Sequence, residues 1–249
     1  MPPPELEAAA LGLIQGATEL LPVSSSAHVA MLPWLLGWNV AAWPPDRRKE
    51  LEVALHFGTA AALAGPMWRA RPDVRTLVLS AAPPALAGYL FEKPIENRLG
   101  GPVAIAGGLL AGAIALAAAD RRGVTRHEAR APDGLILGLA QAAALAPGVS
   151  RTGATLAAAR SLGFSREDAS ALSFGVAGPV LGGATVLKAL RLPPTHRRVA
   201  AIAVASSFAA TTLAVRTFGV ARRKPLWPYA AERAALAGGI LAVRYRRAR

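Results

Sequence analysis

The feature that most constrains this chain is the confinement of its charges. Stretches such as GPVAIAGGLLAGAIALAAA and VAAIAVASSFAATTLAV carry no charge at all, while Lys, Arg, Asp and Glu gather in short runs between them, among them DRRKE at 46–50, DRRGVTRHEAR at 120–130 and RRK at 222–224. A run of roughly 20 apolar residues crosses the hydrocarbon of a bilayer as a helix. Backbone in that medium has no water to bond, and a helix satisfies its own polar groups. Only 17% of the 249 residues are charged, where a soluble domain carries about a quarter. The pattern therefore predicts an all-α, polytopic integral membrane protein built as a single membrane domain.

About six full spans are expected, at 52–69, 74–91, 102–119, 168–190, 199–218 and 227–243. Two further apolar regions are interrupted instead. Residues 5–38 break at Pro22 and the serines after it, and residues 134–163 break at PGVSRTG. Each reads as two half-helices around a polar turn, a re-entrant helical hairpin. Irregular backbone at membrane depth is tolerated where it is buried in protein or lines a wet cavity, and a pair of such breaks points to a binding site.

The two breaks align. LGLIQGATELLPVSSSA starts at Leu11 and LGLAQAAALAPGVSRTG at Leu137. With two compensating one-residue gaps around the proline, Gln15 faces Gln141, Pro22 faces Pro147, Ser24 faces Ser150 and Ser25 faces Arg151. Three spans follow each break, so repeat halves at approximately 5–119 and 134–243 are expected to be inverted in the membrane, with their tips meeting inside. Membrane orientation does not follow from loop charge, because Lys and Arg divide 13 to 13 between the two sides.

The net charge of +13 and isoelectric point near 11.4 are those of loops facing anionic lipid headgroups. There is no basic stripe interleaved with aromatics, so nucleic acid is not an expected partner. The absence of cysteine excludes disulfides, thiol catalysis and cysteine-ligated metals. The start MPPPELE has no positive n-region and is not expected to be a signal peptide.

The polar residues of the breaks carry the chemistry. Gln15 and Glu19 are four apart and share one helical face. Pro22 ends that helix, Ser24, Ser25 and Ser26 are each able to cap the next one, and His28 lies in its first turn. A carboxylate inside an apolar segment is expensive and marks a site. In PGVSRTGAT, Arg151 is flanked by Ser150, Thr152 and Thr155. Half-helix N-termini bind anions, and a guanidinium adds bidentate phosphate recognition. Together the tips suit an anionic group, phosphate foremost; a structural Arg–Glu ion pair is the plainer alternative. Glu52 and His56 share a helical face at the start of the first span, where they either join the site or lie at the membrane surface. His127 and His196 sit in basic loops, and no HExxH or similar metal spacing occurs.

QGATELLPVSSSAH resembles the N-terminal (E/Q)xxxE–PVSS–H signature of the undecaprenyl-diphosphate phosphatases, the bacitracin-resistance family. PGVSRTGAT resembles that family's PGxSRSGxT motif, and SFGVAGPVLGGAT at 173–185 resembles the apolar segment after it. The resemblance implies a bacterial plasma-membrane phosphatase that hydrolyses a polyprenyl diphosphate to the monophosphate, recycling the cell-wall lipid carrier. It implies an outward-facing site, an inverted-repeat bundle with two re-entrant hairpins, and help from a divalent cation, Mg2+ or Ca2+. Carried over by motif, Ser25, Glu19, His28 and Arg151 are the catalytic candidates, with Ser25 as nucleophile and Glu19 also the candidate metal ligand. Gln15, Ser24, Ser26, Ser150, Thr152, Thr155 and Glu52 are the substrate-binding candidates. Gln15 stands where the family admits Glu or Gln, and His56 stands where Gln is expected. Two routes fit these residues, a phosphoserine at Ser25 and direct attack by water. A transporter for a lipid phosphate or other anion would use the same broken helices. Oligomeric state is not legible.

Overall fold

The computed structural model describes residues 3–191, 195–218 and 224–249. Helices dominate, and the β pairing among these residues is a single bridge between Arg126 and Phe164. The elements are α1 (Pro4–Glu19), α2 (Ser25–Leu36), a 3-10 turn (Asn39–Ala42), α3 (Pro45–Ala70), α4 (Val74–Leu99), α5 (Pro102–Asp120), α6 (Ala131–Ala143), α7 (Arg151–Ser161), α8 (Arg166–Gly175), α9 (Ala177–Arg191), α10 (Arg197–Phe218) and α11 (Trp227–Ala248). The chain is an all-α membrane protein, as its charge pattern predicts.

Helix ends follow local chemistry. Proline, whose missing N–H costs nothing in a first helical turn, opens α1, α3, α5, α6 and α11. Asp73 caps α4 by accepting from the Arg75 and Thr76 amides, and Ser165 caps α8 by accepting from Asp168. Prolines also lie inside α2, α3 and α4, which membrane helices tolerate.

Four helices among the described residues are long and apolar enough to cross a bilayer: Val74–Ile95, Pro102–Asp120, Arg166–Arg191 and Arg197–Thr217. The first two and the last cover the expected spans at 74–91, 102–119 and 199–218. The third differs in detail from the continuous helix expected at 168–190, since α8 passes into α9 through a turn at Val176. The expected spans at 52–69 and 227–243 lie inside α3 and α11, of 26 and 22 residues. Neither is as apolar as those four, because 52–69 carries Glu52, His56 and Arg69 and 227–243 carries Glu232 and Arg233.

Both interrupted regions form helical pairs, α1–α2 and α6–α7, broken at 20–24 and 144–150. Their first helices pack reciprocally: α1 lies on α10, and α6 lies on α4. Close approach is made possible by glycine. A Cβ on Gly12 or Gly16 would collide with Ser206 and the Thr211 amide of α10, and one on Gly138 with the Leu79 carbonyl and Pro83 of α4. Small residues at such crossings are how helices associate where lipid provides no hydrophobic drive. α5 lies on α11 and α3 on α9, which brings the two breaks together at the centre.

Candidate active site

The site begins with two backbone conformations. Ser24 and Ser150 are the non-glycine residues with positive φ among those described, at 72° and 65°. Left-handed backbone is uncommon outside glycine and gathers at functional sites. They are the two serines that the alignment of the breaks pairs. Each turns the chain so that the next residue, Ser25 or Arg151, starts a new helix facing its counterpart.

Glu19 is where the tips meet. Its Oε1 accepts from Arg151 Nη2 at 2.6 Å, and its Oε2 accepts from Ser25 Oγ at 2.6 Å and from Gln15 Nε2 at 2.9 Å. Its backbone carbonyl accepts from Thr152 Oγ1 at 3.2 Å. One carboxylate thus joins a hydroxyl of the first break to a guanidinium of the second. The two helix starts differ: the Ser150 hydroxyl accepts from the Gly153 amide, while Ser24 makes no side-chain cap and its hydroxyl lies 3.3 Å from that of Ser26. The start of α2 therefore presents first-turn N–H groups to whatever approaches Ser25.

A cavity of about 520 Å³ opens at this point, within the range of small-molecule sites. Its walls include Glu19, Ser24, Ser25, Ser26, Ser150, Arg151 and Thr152 from the breaks, and Glu52 and His56 from α3. The ring of His56 bonds the Glu52 carbonyl at 2.8 Å. Apolar walls such as Val29, Met31, Ile105 and Leu181 continue the same space, with Arg48, Lys49 and Lys188 also on it. Glu52 and His56 thus share the cavity with both tips.

Three predicted residues stand back from it. Gln15 is buried and its amide is spent on Glu19. Thr155 is buried, bonded to the Ser173 hydroxyl and the Arg151 carbonyl. His28 lies behind the turn, with Nδ1 2.9 Å from the Ser24 carbonyl and Nε2 2.9 Å from Glu232 Oε1. Glu232 and its neighbour Arg233 were not anticipated. The signal was available, because Arg151 and Arg233 are the arginines that fall outside the loop runs and ionisable residues within spans mark sites.

Among the described residues no group of three His, Asp or Glu side chains gathers to hold a metal ion. The carboxylates facing the cavity are Glu19 and Glu52, and both oxygens of Glu19 are already engaged.

The sequence model of the family Bacitracin resistance protein BacA matches residues 8–239. This chain belongs to the BacA family. Its similarity to individual members is also extensive. An undecaprenyl-diphosphatase of Geobacter sulfurreducens is 35% identical over 97% of this chain and 99% of its own length. One of Moorella thermoacetica is 38% identical over 80% of this chain and 81% of its own. One of Geobacter metallireducens is 40% identical over 74% and 75%. The BacA match spans both breaks and reaches into α11.

Proposed function

We propose that this chain is a membrane phosphatase of the bacterial plasma membrane, hydrolysing undecaprenyl or a related polyprenyl diphosphate to the monophosphate and inorganic phosphate. The observation that carries the reading is the 2.6 Å hydrogen bond from Ser25 to Glu19, a nucleophile held on its base, inside a cavity with Arg151 opposite. The names of the relatives favour hydrolysis over transport. The reciprocal packing of α1 with α10 and α6 with α4 supports reading 5–119 and 134–243 as related halves.

The terminal phosphate enters between the tips and competes with Glu19 for Arg151. Glu19, released on one side and still held by Gln15, takes the Ser25 proton as Ser25 Oγ attacks phosphorus. The bridging P–O bond breaks and polyprenyl monophosphate leaves, its charge held by Arg151 and the amides at the start of α2. Glu19 passes the serine proton to the departing monophosphate and is a carboxylate again when water attacks the phosphoserine and gives its proton to Glu19. As the P–O bond to Ser25 breaks, Glu19 returns that proton to the serine oxygen, and phosphate leaves. His28 is not the base in this scheme. Its two ring nitrogens are taken up by the Ser24 carbonyl and the Glu232 carboxylate, so neither is turned toward the Ser25 hydroxyl.

A divalent cation fits this arrangement on modest terms. Mg2+ is usually held by one or two carboxylates, with water and substrate phosphate completing its shell. Glu52 suits that role better than Glu19. When bound, the cation would neutralise charge on the diphosphate. Chelator treatment is expected to lower activity reversibly, and Glu52→Gln to raise the Mg2+ concentration for half-maximal rate about tenfold or more.

The deciding experiment is phosphate release from a polyprenyl diphosphate by purified protein with Mg2+ supplied. Ser25→Ala and Arg151→Ala are each expected to lose about a thousandfold or more in kcat/KM, and acid quenching is expected to trap phosphate on Ser25. A folded parent that releases no phosphate overturns the reading in favour of transport. Activity without a trapped phosphoserine supports direct attack by water.

A further inference from the structure

Arg233 of α11 is wholly buried, at 0% exposure, and its guanidinium spans three parts of the molecule. Nη1 donates to the Pro22 carbonyl of the first break at 3.2 Å. Nη2 donates to the Gly148 and Val149 carbonyls of the second break at 3.0 and 2.8 Å. Nε donates to the Leu109 carbonyl of α5 at 3.2 Å. Among the described residues no carboxylate forms an ion pair with it; the fork is met by backbone carbonyls, for which a planar guanidinium with fixed donor directions is better suited than a lysine ammonium.

Space for that group is made on purpose by two glycines. A Cβ at Gly112 of α5 would lie on Arg233 Nη2, and one at Gly153 would lie 2.6 Å from Nη1. Gly153 lies in the first turn of α7, and its lack of a side chain has its reason in a residue 80 positions further on. Next to Arg233, Glu232 binds His28, and His28 holds the carbonyl of Ser24, the left-handed residue before the nucleophile. Two consecutive residues of α11 therefore grip the first break from both sides, and one of them grips the second as well.

We propose that Arg233 is a positioning residue for the reaction, a buried guanidinium that fixes the two helix breaks against each other and so sets Ser25 against Arg151. The proposal rests on the phosphatase reading for its catalytic consequence, while its geometric core stands apart from that reading. Arg233 donates to the carbonyls of both turns, does not line the cavity that holds Glu19, Ser25 and Arg151, and bonds none of the reacting groups. Loss of its fork frees the tips without removing a side chain that meets substrate. A misplacement of about 1 Å between reacting groups costs about a hundredfold in rate.

The test uses Arg233→Met and Arg233→Lys in the full-length protein, with two readouts. In phosphate release, the Met variant is expected to lose about a hundredfold in kcat with KM moved by less than about threefold. The Lys variant, which restores charge and some donors, is expected to recover part of the loss. The second readout is independent of turnover. The chain has no cysteine, and Val23, beside Pro22, is buried. A Val23→Cys probe is expected to react with a water-soluble thiol reagent about tenfold faster when Arg233→Met is present, as local opening replaces a held turn. Parental kcat in a folded Met variant together with unchanged thiol reactivity overturns the proposal. If Arg233→Met fails to fold, the Lys variant decides by the same two measurements. A parent without phosphatase activity sinks the functional reading alone, and the thiol rates still decide whether Arg233 holds the tips.

Discussion

Glu19 accepts three side-chain hydrogen bonds, and their loss should be felt unequally. Gln15→Ala removes only an orienting amide and is expected to lower kcat about tenfold with KM unmoved, whereas Glu19→Gln removes the base and is expected to lower it about a thousandfold. Steady-state phosphate release separates the two. At this scale the sequence was legible wherever a residue's partner lay close along the chain: Gln15 with Glu19 follows from helical spacing, and Ser25 with Glu19 from one turn. His28 meets Glu232 across 204 positions and Arg233 meets Pro22 across 211, and no local pattern encodes such a pairing. What the residues did disclose was cost. Glu232 and Arg233 sit in a span that reads as apolar, and a charged pair there calls for a partner.

The helices meet through absences of side chain. A Cβ on Gly16 would press on the Thr211 amide, while one on Gly107 would meet nothing within 4 Å. Gly16→Val is therefore expected to destabilise the α1–α10 crossing by about 1–3 kcal/mol, and Gly107→Ala to leave the unfolding midpoint in place. The cap of α4 offers a test in pH. The Thr76 hydroxyl and the Thr76 and Arg75 amides bond to Asp73 and hold its carboxyl below its ordinary value. A carboxyl lowered in the folded state stabilises above its unfolded pKa, and that contribution fades as pH falls through the folded one. The gap in unfolding midpoint between parent and Asp73→Ala is expected to be full near neutrality and to close in acid. Element by element, the two breaks were readable because Pro22, Pro147 and the residues after them act locally on the backbone. The turn at Val176 has the same kind of signal in Pro179, which has no N–H for the Gly175 carbonyl four residues back and crowds it, although an unbroken apolar run hides it when 168–190 is read as one span.

The whole molecule leaves its boundaries written in aromatic residues. Arg47 stacks on Trp43 at one end of α3, and Arg71 stacks on Trp68 at the other, the arrangement of interfacial anchors. Single cysteines at Asp46 and Ala70 are expected to react with an impermeant thiol reagent from opposite faces of oriented vesicles, making α3 a span despite its charges. The same labelling fixes which way the protein points, a matter on which balanced loop charges are silent. Arg233 has a further consequence, for the order in which the protein is made. Pro22, Leu109 and Gly148 all leave the ribosome long before the arginine that gathers them. Ser25, Glu19 and Arg151 can be synthesised, inserted and even folded into helices without being assembled into a machine for breaking anhydrides. Activity then arrives with α11, so an unfinished chain in the membrane stays chemically quiet.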